Sequence, residues 1–513
     1  MAGVRLVRGF FTVGAWTMAS RVLGFVRDVV IAAALGAGPV AEAFVVAFSL
    51  PNMFRRFFAE GAFNMAFVPM FAKRVEAGQG AHEFARDALT GLASIVLLVT
   101  LVAQVFMPAL VLAMASGFLG DERFDLAVLF GRIAFPYILF ISLAALLSGV
   151  LNATGRFTAA AAAPVLLNLI FIAALSLGAW MGWDMGLTLV WAVPVAGIAQ
   201  FALVWTAASR AGFRLIPRRP RMTPELKRLA IIAAPAALAG GVVQVNLLIG
   251  RQVASFFDGA IAWLNYADRL YQLPLGVVGI AIGVVLLPDL ARRLSADDVE
   301  GGRHSLSRAG EMALALTVPA AVALLVIPLP LVQVLFERGA FTVDDTAATA
   351  VAVQIYGLGL PAFVLQKVLQ PVYFARENTR TPFYFALVSL VVNAAIAIGL
   401  APVIGYTAAA FGTTFAAWAM AALLWIGTWR MGEVARFDQR FWRRLWRIGV
   451  ASWAMGGVLW LLTLPLHALL GTSGLDVLAL VILILAGIGS YFGIGHLIHA
   501  FRMSDFRSAL RRD

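Results

Sequence analysis

The chain has 513 residues and a formal charge of +12, and 62% of it is hydrophobic against 13% charged. A soluble domain carries roughly 45–50% apolar and 25% charged residues, so the composition excludes a soluble globular protein and makes the position of the basic residues more telling than their sum, with no nucleic-acid partner implied. There is no cysteine, which excludes disulfides, thiolate metal sites and cysteine nucleophiles.

A hydrocarbon layer about 30 Å thick needs roughly 20 apolar residues per helix. Apolar runs bounded by Gly, Pro and charge clusters predict an all-α integral membrane protein of about fourteen such helices. The first lies near 9–36, too long for the apolar core of a secretory signal and with Arg21, Arg27 and Asp28 inside it. Others follow near 41–72, 84–114, 125–151, 157–180 and 186–209. The next six fall near 225–254, 257–291, 305–335, 346–375, 380–401 and 405–429, and the last two near 446–466 and 475–500.

Alternate connections are basic. One set holds Lys73, Arg74 and Arg86, then Arg156, then Arg210, Arg214, Arg218, Arg219, Arg221, Lys227 and Arg228. It continues with Arg292, Arg293, Arg303 and Arg308, with Arg376 and Arg380, and with Arg430, Arg436, Arg440, Arg443, Arg444 and Arg447. The other set has only Arg123 and Arg338 as basic members and carries Asp121, Glu122, Asp184, Asp258, Asp344, Asp345 and Asp476. Positive-inside bias then places both termini in the cytoplasm. The stretch Arg436 to Arg447, with Trp442 and Trp446 among its basic residues, reads as an interfacial segment or as ordinary positive-inside anchoring.

The halves repeat. Pro136, Thr154 and Asn168 recur as Pro361, Thr379 and Asn393, each 225 residues later, while Gly36 and Leu50-Pro51 recur as Gly259 and Leu273-Pro274, 223 later. Each repeat holds an even number of helices, so the two keep one orientation, the parallel-repeat plan in which substrate binds between the halves. The expected organisation is an N-terminal six-helix lobe over 1–215, a C-terminal lobe over 216–435, and an interfacial segment with two further helices and a tail over 436–513.

Setting aside the basic residues assigned to connections and tails leaves eight within the predicted spans: Arg21, Arg27, Arg55, Arg56, Arg132, Arg251, Arg269 and Lys367. Each costs about 2.5–3.5 kcal/mol at a helix centre, so they call for a hydrated cavity, ion partners or a ligand. Arg132, Arg251 and Lys367 are read as snorkelling or locally paired. Arg55 and Arg56 follow Pro51, which should kink the second helix, and Arg269 precedes Pro274 in the eighth. Arg21 and Asp28, seven apart, share a helix face, Arg27 points about 120° away from Arg21 in a straight helix, and a bend near Gly24 could bring both arginines to one cavity. Asp28, Glu42, Glu60 and Asp268 are the acids of these helices, and Arg56 with Glu60 has i,i+4 spacing. Excess arginine in a hydrated cavity suits a phosphate-bearing ligand, because guanidinium stays charged and offers a planar fork to phosphate oxygens. The competing reading is a structural ion-pair network. His496 and His499 have no evident third ligand, so no metal is assigned.

Several segments carry a family resemblance. Ser20–Asp28 (SRVLGFVRD), Leu50–Phe63 (LPNMFRRFFAEGAF), Tyr266–Leu270 (YADRL), Leu335–Phe341 (LFERGAF) and Asn152–Phe157 (NATGRF) resemble signatures of the MurJ (MviN) lipid II flippases of the MOP transporter superfamily. The resemblance implies two six-helix lobes plus two C-terminal helices in a bacterial inner membrane. It also implies movement of the undecaprenyl-linked peptidoglycan precursor, lipid II, from the cytoplasmic to the periplasmic leaflet. By motif match the cavity arginines are Arg21, Arg27, Arg55 and Arg269, with Asp28, Arg56, Glu60 and Asp268 as charge partners. Where some members carry an acid after the motif arginine of the eighth helix this chain has Gln272, which is given no role, and the sodium site of some members is not carried over. The implied partners are lipid II, membrane lipids and the cell-wall synthesis machinery. No cofactor is expected, and the energy source stays open between the membrane potential and a coupling cation. Alternatives are an exporter of another polyprenyl-linked glycan, a cation-coupled drug exporter of the same superfamily, an integral-membrane enzyme, and a non-transporting cell-wall scaffold. The cavity's arginines argue against drug export, and no acidic cluster supports an enzyme.

Overall fold

The structure, a computed structural model, describes residues 2–56, 62–472 and 474–500, with side chains described outside 2–11, 62–65, 234–243 and 277–285. All regular structure among the described residues is helical. Ten segments among them are long and apolar enough to cross a membrane, which makes this a multi-pass membrane protein.

Two compact units divide the chain, the first comprising residues up to Ala262 together with Arg338–Phe341, the second the remainder. The first contains α1 (Ala2–Leu35), α2 (Pro39–Arg55), α3 (Ala62–Glu76), α4 (Ala81–Val105), α5 (Met107–Met114), α6 (Glu122–Ala134) and α7 (Tyr137–Ala153). It continues with α8 (Thr158–Met181), α9 (Met185–Arg210) and α10 (Pro224–Ala254). Inside it α1 packs on α8, α2 on α6, α7 on α9, and α10 on α3. The second unit begins within α11 (Ala260–Ser295) and holds α12 (Val299–Val326), α13 (Pro328–Phe336), α14 (Val343–Phe374), α15 (Arg380–Ile404) and α16 (Thr407–Thr428). It ends with α17 (Gln439–Leu470) and α18 (Asp476–Leu497). There α16 packs on α14 and α15, and α17 on α12 and α18.

Three spans expected as single helices are broken at prolines. The 305–335 span stops at Ile327, which Pro328 pushes out of helical geometry (φ −123°, ψ 41°), and restarts as α13. Its counterpart in the first unit breaks at Phe106, two residues before Pro108. The 125–151 span turns at Phe135-Pro136. A proline leaves the carbonyl four residues earlier without its helical donor; for Pro136 that carbonyl belongs to Arg132, and the Gln104 amide donates to it at 2.8 Å. The repeat partner Pro361 lies inside the unbroken α14, where its i−4 residue is Gly357.

Pro51 does not end α2, which runs on to Arg55. The Asn52 amide donates to the Phe48 carbonyl at 2.8 Å, an extra bond beside the proline. The stretch read as interfacial is the opening of α17 and is docked: Phe437 and Phe441 are buried and stacked at 4.0 Å. Asp438 caps the helix by accepting from the Phe441 N–H.

Candidate functional site

The best-defined charged feature of the first unit lies where α1 meets α8. The Arg27 guanidinium donates to Asp28 Oδ1 from Nε (3.0 Å) and Nη2 (2.7 Å), and from Nη1 to Asn168 Oδ1 (3.0 Å). Neighbouring residues do not face each other on a helix, so this pairing depends on a third group to hold Arg27. Asn168 is that group. Its amide also donates to the Ser20 carbonyl at 2.9 Å, and Phe171, one turn on, lies 5.8 Å below the guanidinium. Gly24 faces Asn168, and a Cβ there would sit 3.5 Å from Asn168 Nδ2, an ordinary contact distance, so the approach does not require the glycine. Helix α1 runs without interruption from Ala2 to Leu35, Gly24 included. Asp28 pairs with Arg27 rather than with Arg21, the residue on its own face. Arg21 is exposed.

Arg55 is half-buried at the end of α2 and Arg56 is exposed beside it. Arg56 Nη1 reaches Gln244 Oε1 of α10 at 3.4 Å. Glu60, expected to pair with Arg56, lies outside the described residues. In the second unit Asp268 and Arg269 are half-buried on α11, and the Gln272 amide donates to Asp268 across one turn. Gln272, given no role from the sequence, thus orients the acid beside the motif arginine. Next to it Tyr271 packs against Tyr356 (5.2 Å) and Phe363 (5.5 Å).

Two charge clusters escaped the sequence reading. Arg123, taken for a loop residue, is buried among three carboxylates: Asp121 at 2.6 Å, Asp258 at 3.0 Å and Glu42 at 3.1 Å, with the Phe118 ring 4.6 Å from its Cζ. Arg123 holds the Asp121 carboxyl below its usual range. Glu42 also accepts the Ile261 N–H at 3.1 Å. Within the first unit Arg338–Phe341 meets the end of α1, where the Ala340 N–H donates to the Ala33 carbonyl at 2.8 Å. A signal was present, since Arg123 is one of only two basic residues on the acidic side of the alternation. In the second unit Glu311 of α12 is buried against Arg308, Arg444 (3.3 Å) and Arg440 (3.7 Å), which fastens the opening of α17.

Comparison with known proteins is consistent across sequence and fold. The family model described as Lipid II flippase MurJ matches residues 31–479. A protein of Rhizobium tropici described as a probable lipid II flippase MurJ is 44% identical over 99% of this chain and 97% of its own length. The corresponding protein of Rhizobium meliloti (strain 1021) is 45% identical over 99% and 96%. A solved structure described as lipid II flippase MurJ in an inward closed conformation matches with a TM-score of 0.79 and 25% identity, covering 97% of this chain and 99% of that one. An inward-facing MATE-family transporter of the MOP superfamily shares the fold at a TM-score of 0.66 and 14% identity. The chain belongs to the lipid II flippase MurJ family.

Proposed function

We propose that this protein carries lipid II across the bacterial inner membrane, from the cytoplasmic to the periplasmic leaflet, by alternating access. The supporting observation is the placement of Arg21, Arg27, Arg55 and Arg56 on two consecutive helices of one unit, beside the uncharged partners Asn168 and Gln244. Family membership identifies the phosphate-bearing ligand. In this reading Arg21, Arg27, Arg55 and Arg269 bind the pyrophosphate, while Asp28, Asp268 and Gln272 orient the guanidinium groups. Helices α1, α2 with α3, α10 and α11 complete about fourteen spans, with both termini cytoplasmic. No covalent chemistry is needed. A cell interior negative by 100 mV favours outward movement of an anion by about 2.3 kcal/mol per charge, so the membrane potential can supply the drive.

The test is flipping of lipid II by the purified protein in liposomes, together with complementation of a strain depleted of its flippase. Arg21→Ala, Arg55→Ala and Arg269→Ala should each lower the initial flipping rate roughly tenfold or more, the scale of one lost charge-assisted bond, at unchanged membrane levels. Parental rates in all three would overturn the assignment.

A further inference from the structure

A cavity with basic side chains in its lining lies between α3 and α10, and none of the arginines assigned to transport is among its lining residues. The two helices pack side by side in the first unit and line a half-open cavity of about 320 Å³, within the volume range of small-molecule sites. One end is charged, with Lys73 and Arg74 from the end of α3 and Glu225 and Arg228 from the start of α10. The other end is apolar, with Pro69 and Met70 one turn back along α3 and Ile232 one turn further along α10.

Two features distinguish this arrangement from scattered loop charge. Arg74 is held in place, its Cζ 4.4 Å from the Phe84 ring and its Nη2 3.7 Å from Glu225 Oε1. The start of α10 is fixed as well, because Thr223 caps it by accepting the Leu226 N–H, and Gly91 of α4 lets Leu226 pack so closely that a Cβ would come within 3.0 Å. Three cations face one carboxylate, so positive charge is in excess, and the positive end of the α10 dipole adds to it. A cavity cationic at one end and apolar one turn away matches an amphiphile, and basic pockets between membrane helices on the cytoplasmic side suit anionic headgroups.

We propose that this cavity binds a phosphate-bearing lipid headgroup from the cytoplasmic leaflet, with Lys73, Arg74 and Arg228 on the phosphate and the start of the lipid tail along Met70 and Ile232. The inference rests on the orientation proposed above, not on the transport site. The phosphate has two sources, a bilayer phospholipid and the polyprenyl pyrophosphate of the precursor.

The test is titration of the delipidated full-length protein in detergent with phosphatidylglycerol, with undecaprenyl pyrophosphate and with inorganic phosphate, read by native mass spectrometry. Saturable binding of either lipid is expected, and which of them displaces the other identifies the source. Lys73→Gln/Arg228→Gln should weaken it roughly 20–30-fold, at about fivefold per basic group, while Lys73→Arg/Arg228→Lys keeps it and Glu225→Gln tightens it. Arg55→Ala/Arg269→Ala should leave phosphatidylglycerol binding intact while removing the share of undecaprenyl pyrophosphate held at the transport site, which separates failure of this proposal from failure of the transport reading. Equal affinity in the glutamine pair and the parent, or inorganic phosphate binding as tightly as lipid, overturns the proposal.

Discussion

At the scale of single residues, the arginines assigned to one ligand have different local duties. Arg27 is largely enclosed, with 13% of its side chain exposed, and is bonded to Asp28 and Asn168, whereas Arg21 and Arg56 are exposed. Removing Arg27 takes away its hydrogen bonds to Asp28 and Asn168, at a cost of about 1–3 kcal/mol. Arg27→Ala should therefore lower the thermal midpoint in detergent as well as transport, and Arg27→Ala/Asp28→Asn should recover part of the stability but not the transport. Equal stability of Arg27→Ala and the parent would contradict the pinning role. The sequence separated Arg27 from Arg21 by helix angle, yet its partner Asn168 lies 141 residues away. In the sequence Asn168 stands out only as a marker of the repeat. Which side chain a buried arginine meets is a tertiary matter, because helical spacing relates only residues of one helix.

At the scale of elements, proline positions were legible and their consequences were not. The same repeated proline turns the chain at Pro136 and is carried within α14 at Pro361. The outcome depends on what a neighbouring helix offers the freed carbonyl, as Gln104 does for Arg132. The turn after α1 shows a stricter requirement. Gly36 and Gly339 both have φ near 62°, and a Cβ on them would lie 2.3 Å from the Ala340 oxygen and 2.2 Å from the Ala33 oxygen. Gly78 has a similar φ of 64° but open space around it. Gly78→Ala should thus cost only the left-handed backbone penalty of about 1–2 kcal/mol. Gly36→Ala and Gly339→Ala must also move backbone and should sharply reduce the monodisperse folded fraction on fluorescence-detected gel filtration. Similar profiles for all three variants would contradict the close-approach argument.

At the scale of the whole molecule, the alternation of basic and acidic connections is a topological claim that the absence of cysteine makes easy to check. Gln79→Cys and Arg219→Cys lie in exposed basic connections, Glu122→Cys and Thr472→Cys in exposed connections of the other set. In intact spheroplasts a membrane-impermeant maleimide should label the second pair alone, and permeabilisation should expose the first. Labelling of both pairs without permeabilisation would reject the orientation and, with it, the leaflet of the lipid pocket.

By itself the sequence determined the membrane class, the repeat, the alternation of charge and the motif arginines, because hydropathy, helical period and loop charge act over contiguous residues and need no knowledge of neighbours. Tertiary structure decided the rest. It placed Arg123 among Glu42, Asp121 and Asp258, Gln272 on Asp268, and Lys73 and Arg74 beside Arg228. Most of these contacts join distant parts of the chain, and it is close packing of helices in three dimensions that brings such charges within bonding distance.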